Sequence, residues 1–303
     1  MSTVLIAGGS GLIGSRLSQL LRERGDEVLH LSRRSRPDAP YPTYRWGPGD
    51  SYIDDEAILR TDYVVNLAGA GIADKPWTKA RKQLIIDSRV DSTHLLLSAF
   101  ERLQHFPKAY LSSAAIGYYG DRNNEWLDEN AAPGQGFLPE SCIAWEEAIG
   151  EVAQAGIRTV AVRVGIVLST RGGAMEKMLL PFHFRLGAYF GDGSQWYSWI
   201  HIDDLCRMFI KAMEDDSMQG VYNGVAPNPA TNKELTEAIK DALGKPALAL
   251  PAPALALRLA MGEMADVVLS SARVRSQKIE AAGFEYAFPT LDKALPDLLQ
   301  RKV

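Results

Sequence analysis

Cysteine is nearly absent from this chain: its 303 residues include two, Cys142 and Cys206, far apart and in no paired spacing. That excludes a disulfide framework and a cysteine-based metal site, and it fits a reducing compartment. Long apolar runs are missing as well. No uncharged stretch approaches bilayer length, and the first apolar run gives way to glycines too early for a signal peptide. The expectation is a cytoplasmic protein with no membrane partner. Charge of one sign is not in surplus either, since 33 Lys and Arg face 37 Asp and Glu for a formal net charge of -4. Without a broad basic field, nucleic acid is not expected as a partner. What remains is an ordinary composition, 46% hydrophobic, in a chain long enough to bury a large core.

The most specific pattern comes first. An apolar run, Thr3-Val4-Leu5-Ile6-Ala7, opens directly into Gly8-Gly9-Ser10-Gly11-Leu12-Ile13-Gly14. This reads as a buried strand, a glycine-rich turn and the start of a helix: Gly8 for a turn that other residues resist, Gly11 for close approach of a phosphate, Gly14 for packing of helix on strand. Leu12, Ile13, Leu17 and Leu21 continue at helical spacing, Gly25 closes the helix, and Val28-Leu29-His30-Leu31 supplies a second strand. Strand, turn, helix and strand within about thirty residues make one βαβ unit, with unpaired N–H groups at the helix start facing an anion.

The end of the second strand selects the dinucleotide. Where an NAD site places Asp or Glu, this chain reads Ser32-Arg33-Arg34-Ser35-Arg36. A hydroxyl and adjacent guanidiniums suit a 2′-phosphate, so NADP is the expected cofactor.

Further apolar runs, Tyr63-Val64-Val65-Asn66-Leu67, Ala109-Tyr110-Leu111-Ser112-Ser113 and Thr159-Val160-Ala161-Val162-Arg163-Val164, alternate with helices expected over 78–100 and 139–155. That alternation predicts an α/β fold, a doubly wound, Rossmann-like parallel sheet whose ligands sit at the carboxyl ends of the strands. Residues 37–52 and 116–136 read as loops, and beyond about 172 the pattern changes to larger loops and short helices. We expect a dinucleotide-binding domain over 1–171 and a smaller substrate-side region over 172–303, interwoven with the first. Helices are expected there over 232–243, 252–261 and 291–299. The Ala-, Leu- and Pro-rich stretch 247–259 reads as helix packing, and His201 as a structural histidine before a helix capped by Asp203 or Asp204.

With the fingerprint, Asn66-Leu67-Ala68-Gly69, Ser112-Ser113 and Trp199-Ile200-His201-Ile202-Asp203-Asp204-Leu205 in order, the chain resembles the extended short-chain dehydrogenase/reductase superfamily over nearly its full length. Within it, the similarity is closest to an NAD(P)-dependent, nucleoside-diphosphate-sugar epimerase-like group. Ser88-Arg89, Ile116-Gly117-Tyr118-Tyr119-Gly120, Trp145-Glu146, Gly172-Gly173-Ala174-Met175 and Gly283-Phe284-Glu285-Tyr286 carry it. The resemblance implies cofactor contacts at Gly8, Ser10, Gly11, Leu12, Ile13 and Gly14, at Ser32, Arg33 and Arg34 for the 2′-phosphate, and at Leu67, Ala68, Arg89 and Val167. It also implies a homodimer through helices flanking the sheet.

One departure matters. Active members of the superfamily carry Tyr-x-x-x-Lys on a helix, stacked on one face so that the ammonium tunes the phenol. At that spacing this chain has Ser141 and Trp145, in Pro139-Glu140-Ser141-Cys142-Ile143-Ala144-Trp145-Glu146. Candidate replacements are Cys142 with Glu146, which share a helix face, Ser113 near the usual hydroxyl position, and Tyr118 or Tyr119 in the following loop. Two functions fit. One is an NADP-dependent oxidoreductase or epimerase acting on a small polar substrate, for which a nucleotide sugar is a candidate; the other is a weakly active or inactive NADP(H)-binding sensor or scaffold.

Overall fold

The computed structural model describes residues 1–34, 38–244 and 246–300. Eight strands form one sheet: β1 (Thr3–Ala7), β2 (Glu27–Ser32), β3 (Thr43–Gly47), β4 (Tyr52–Ile53), β5 (Tyr63–Asn66), β6 (Ala109–Ala115), β7 (Thr159–Val164) and β8 (Gly220–Gly224). Their spatial order is β8-β7-β6-β5-β1-β2-β3-β4, and every pair is parallel except β3 with β4. The chain therefore builds outward from β1 through β2 to β4, then restarts on the other side of β1 with β5. The switch between β1 and β5 opens the crevice in which such sheets hold ligands. This is the doubly wound, Rossmann-like α/β fold.

The apolar runs are continuous because the sheet is covered on both faces. Val4 and Ile6 of β1 enter a core with Leu17, Leu21, Leu205 and Phe209, from α1 (Leu12–Glu23) and a helix over Ile202–Glu214. Leu5 and Ala7 enter a second core with Leu96, Phe100, Trp145 and Ile149, on the opposite face. Along the chain α1 is followed by α2 (Asp55–Leu59), α3 (Lys79–Leu103), α4 (Phe137–Gln154) and α5 (Gly173–Leu179), then by Ile202–Glu214 as α6 and Asn232–Leu243 as α7. Thr78 starts α3 by accepting from the Arg81 N–H. Thr231 and Glu234 form a capping box on α7, and Gly244 at φ 60° ends it.

Beyond α5 the chain leaves the sheet and then returns to it with α6 and β8. The rest is built from short pairings: Leu186–Phe190 lies parallel to Leu248–Ala252, Trp196–Tyr197 antiparallel to Ala230–Thr231, and Arg273–Val274 parallel to Trp126–Leu127. No helix among the described residues is long and apolar enough to cross a membrane.

Three local expectations are corrected. The stretch 37–52, read as a loop, contains β3, which adds to the sheet between β2 and the two-residue edge strand β4; only Trp46 of β3 is buried, so a mostly half-exposed strand carries no apolar run to betray it. Leu248–Ala252 is extended, and the helix read from 252 starts at Ala254 as α8 (Ala254–Met261), with Leu255 and Leu259 exposed instead of packed. Finally, the cap of α6 is His201 itself: its Nδ1 accepts from the Asp203 N–H at 3.1 Å. Asp203 is engaged by Arg16 at 2.7 and 3.0 Å, tying α6 to α1, while Asp204 accepts from the backbone of Ala287 and Phe288.

Candidate functional site

A cleft of about 370 Å³ opens at the carboxyl ends of β1, β5 and β6. Its walls are the glycine turn, Leu67, Ser113, the segment 165–167 after β7, and Gly173 with Ala174 at the start of α5.

The turn is tight for reasons outside itself. Gly8 stands at φ 80°, and a Cβ there would lie 2.7 Å from the Leu67 carbonyl oxygen. At Gly9 it would meet the His30 ring at 2.5 Å, and at Gly14 the Gly8 carbonyl oxygen at 2.4 Å. Gly11 differs, since its Cβ would touch one atom, the Gly8 oxygen at 3.2 Å, and Gly11 lines the cleft. The backbone is thus closely packed at Gly8, Gly9 and Gly14 and open at Gly11, which leaves bare main chain facing the cleft, as approach of a pyrophosphate requires. Helix α1 begins at Gly11 with no side-chain cap and no acidic residue in its first turn. Its first N–H groups and its dipole are therefore available to an anion in the cleft. Beneath the turn, His30 is fixed by Ser18 Oγ, 2.8 Å from its Nε2, and by the Tyr41 ring at 4.7 Å.

The β5 edge is set by Asn66, a residue to which sequence reasoning gave no role. Its amide donates to Ser92, Thr93 and the Tyr110 hydroxyl at 3.1, 3.4 and 2.8 Å, while its Oδ1 accepts from the Ala68 N–H at 3.1 Å. This buried network holds Leu67 and Ala68 beside Gly8. The polar residue at the end of an apolar run was the available signal.

Of the expected cofactor residues, Gly8, Gly11, Leu12, Ile13, Gly14, Leu67 and Val167 line the cleft together. Ser10 is the exposed tip of the turn, and Ala68 follows Leu67 just outside the lining. Ser32, Arg33 and Arg34 stand one strand away, at the end of β2 where Leu31 pairs with Ala7. Both arginine side chains are exposed, and Ser32 Oγ accepts from the Arg34 N–H at 3.3 Å. Ser35 and Arg36 of the same basic run lie outside the described residues. Arg89 does not line the cleft; it binds the Ala70 carbonyl at 3.1 Å and rests on Trp145.

Among the acid–base candidates, Ser113 lines the cleft and donates to the Asn66 carbonyl at 3.5 Å. Tyr118 is half-buried in the turn after β6, its ring 3.6 Å from the Arg163 guanidinium. Cys142 and Glu146 do share a face of α4, yet the carboxylate turns to Arg163, accepting at 2.7 and 2.8 Å in a bidentate pair whose side chains are 4% and 13% exposed. Arg163 also donates to the Tyr119 hydroxyl at 2.9 Å, which donates in turn to Asn223 at 2.7 Å. Burial pushes Tyr119 up to about 12, against the opposing pull of Arg163. Arg163 is the second residue sequence reasoning passed over. A lone charge inside an apolar strand was its signal, because a buried guanidinium needs a partner.

Burial, with the Glu146 charge adding to it, pushes the Cys142 thiol up to about 12. The thiolate is the reactive form, so Cys142 stays inert at neutral pH and becomes reactive only as pH rises toward that value. Thiol labelling at pH 8 should therefore proceed at Cys142 at least about 100-fold more slowly in the folded protein than in urea. Labelling at the unfolded rate would restore Cys142 as a nucleophile candidate.

The comparisons with known proteins agree with this geometry. The model of the NAD dependent epimerase/dehydratase family matches residues 4–223, and a domain of unknown function, DUF1731, matches 252–298. The mouse epimerase family protein SDR39U1 is 36% identical over 299 residues, 98% of this chain and 99% of its own. The human epimerase family protein SDR39U1 (isoform 2), solved with NADPH, superposes with a TM-score of 0.88 at 34% identity, covering 99% of this chain and all of that one. A nucleoside-diphosphate sugar epimerase from Corynebacterium glutamicum gives 0.80 at 31% identity, over 98% of this chain and 58% of its own. With the glycine cradle at the switch of the sheet and relatives matching end to end, the chain belongs to the NAD-dependent epimerase/dehydratase family.

Proposed function

We propose that this protein binds NADP(H) in the cleft and acts as an oxidoreductase or epimerase on a small polar substrate, with a nucleotide sugar as one candidate. The observation that carries the reading is the glycine turn in the cleft wall, where a Cβ at Gly8 or Gly14 would strike backbone while the position at Gly11 is nearly open and faces the cleft. The human relative solved with NADPH supports the choice of dinucleotide. Bound NADP would supply hydride transfer. The residues of the chain do the remaining work. The first turn of α1 would hold the pyrophosphate, Ser32, Arg33 and Arg34 would hold the 2′-phosphate, and Leu67, Ala68 and Val167 would complete the cofactor site. Ser113 donates a hydrogen bond to the reacting oxygen of the substrate, and the Tyr118 hydroxyl exchanges the proton there, its ring held by Arg163.

Two free, buried cysteines support a reducing, cytoplasmic setting. A second reading, an NADP(H) sensor or scaffold with little turnover, draws support from Ser141 and Trp145 at the usual acid–base positions and from the engagement of Glu146 by Arg163.

Arg33→Asp should weaken NADPH binding roughly 10- to 100-fold by removing charge-assisted contacts to the 2′-phosphate, while NADH changes by less than about threefold. Equal losses for the two would remove the 2′-phosphate assignment. To decide between the readings, NADPH-loaded protein is screened against carbonyl compounds and nucleotide sugars by nicotinamide absorbance and product mass. Any turnover found should fall about 100-fold or more in Tyr118→Phe with NADPH affinity intact. Tight NADPH binding with no turnover across the panel would favour the sensor.

A further inference from the structure

After α5 the chain turns through 180–184 and enters Leu186–Phe190, the strand that pairs in parallel with Leu248–Ala252. The two faces of this pair differ. On one, Gly187 sits so close to its neighbours that a Cβ would lie 2.8 Å from the Phe182 ring and 3.1 Å from Thr236 of α7. On the other, Leu186 stands beside Leu248, with Leu250 two positions on, and the three are 40%, 67% and 49% exposed. Pro253 then leads into α8, whose first side chain, Ala254, lies 3.9 Å from where a Cβ of Gly191 would stand, next to the end of the strand pair. Seven of the eight residues of α8 are apolar and none is buried. A helix apolar on all sides is normally enclosed by protein or by lipid.

The bare surface is large. Phe184 in the turn, the three leucines of the sheet face, and Leu255 and Leu259 one turn apart on α8 are 40–81% exposed. Together these six leave roughly 700 Å² in water, above the roughly 300–600 Å² of the largest apolar patch on a typical monomer and close to the roughly 800 Å² that each partner gives a stable interface. The helices flanking the main sheet offer much less: among the described residues, α3 exposes Leu84 alone to a similar degree and α4 no large apolar side chain. The strand edge beside the patch is blunted. The Leu248 N–H donates to the Arg185 carbonyl and the Gly191 N–H to the Ala252 carbonyl, so Leu248, Leu250 and Ala252 turn their main chain inward. The outer edge belongs to Ala249 and Pro251, and proline has no N–H to give. A partner is therefore expected on the face, not as an added strand.

We propose that a second copy of this chain docks on this surface, α8 and the open face of the strand pair from each copy meeting across a two-fold axis. The area matches what one side of a stable dimer contributes, and the lack of charge on the patch favours its own kind. A helix that lies on a bilayer carries a strongly basic polar face, whereas α8 has one charge, Arg258, bonded to Asp266 at 3.0 Å. A foreign protein selected by charge would find nothing more to read. Another copy presents the same apolar face, and in a two-fold contact each patch covers the other, as the fully buried centres of homodimer interfaces require. The dimer axis then lies on the carboxyl-terminal region, away from α3 and α4.

Sedimentation equilibrium of the full chain between about 1 and 100 μM tests this and should show the mass of two chains, with a dissociation constant below about 10 μM. The double variant Leu255→Glu, Leu259→Glu should raise that constant at least about 100-fold, because four carboxylates would be brought into an apolar contact, while far-UV dichroism stays unchanged. Leu248→Lys, on the sheet face, should weaken association at least about tenfold, and it decides the matter if the double variant fails to fold. Leu84→Glu, on α3, should leave the constant within about threefold. A monomer across the whole range overturns the proposal. So does a dimer that withstands the substitutions at 248, 255 and 259, or one that dissociates in Leu84→Glu, which would place the contact on the helices flanking the sheet. Co-sedimentation with vesicles of phosphatidylcholine and phosphatidylserine tests the other occupant: a monomer that binds them, and loses that binding in the double variant, would put a bilayer on α8 and overturn the second copy.

Discussion

Arg163→Leu should lower the free energy of unfolding by about 3–5 kcal/mol, a large fraction of what holds a protein of this kind together. The substitution leaves the Glu146 carboxylate, 13% exposed, without the two bonds at 2.7 and 2.8 Å that satisfy it. It also takes a donor from the Tyr119 hydroxyl and one from the Glu129 carbonyl. A buried charge that loses its partner costs much more than the net worth of the pair, because the group was taken out of water at the start. Replacing both members tests this argument directly. Arg163→Leu with Glu146→Leu should recover more than half of the loss, since no charge is then stranded. Urea unfolding of the two single variants and the double variant checks it, and a single-variant loss below about 1 kcal/mol would mean that water reaches the pair and that it behaves like a surface bridge.

The second large effect belongs to the glycine turn, where two substitutions of the same kind should part company. In Gly14→Ala the new methyl would stand 2.4 Å from the Gly8 carbonyl oxygen and 2.7 Å from the Gly9 Cα, so strand and helix must separate. Alanine in a helix is worth up to about 1 kcal/mol over glycine, and a backbone collision of that depth should reverse the sign, with a net loss of roughly 2 kcal/mol or more. In Gly11→Ala the nearest atom is 3.2 Å away, so stability should move by less than about 1 kcal/mol. The methyl of that variant instead stands where the pyrophosphate approaches, and NADPH affinity should fall roughly 100-fold or more. Thermal unfolding and NADPH titration of both variants check the contrast. Retained NADPH affinity in Gly11→Ala would move the cofactor off this turn.

Most of the fold was legible because its signals are local. The runs at β1, β2, β5, β6 and β7 are mostly apolar, as strands covered on both faces must be, and α3 and α7 carry caps at Thr78, Thr231 and Gly244 that depend on near neighbours only. β3 and β8 lay at or near the edges of the sheet, where burial on both faces is not required, and no such run marked them. The cofactor turn was legible because Gly9 against His30 and Gly14 against the Gly8 carbonyl answer to contacts within one βαβ unit, although Gly8 itself answers to Leu67 after β5. The acid–base candidates were not. Spacing on α4 put Cys142 and Glu146 on one face, but what Glu146 does is decided by Arg163 on β7 and what Trp145 does by Arg89 on α3. Pairings across the sheet leave no periodic trace in one sequence.

The return of the chain to its sheet bears on how the protein is made. β7 finds its outer neighbour only when β8 has been synthesised, after the entire excursion through α5 and α6. Until then a nascent chain on the ribosome presents an unpaired apolar strand edge, the kind of surface that recruits other chains. The amino-terminal half therefore cannot mature ahead of the carboxyl-terminal one, and a gene truncated after the sequence for β7 would encode an aggregation-prone fragment instead of a smaller dinucleotide-binding protein.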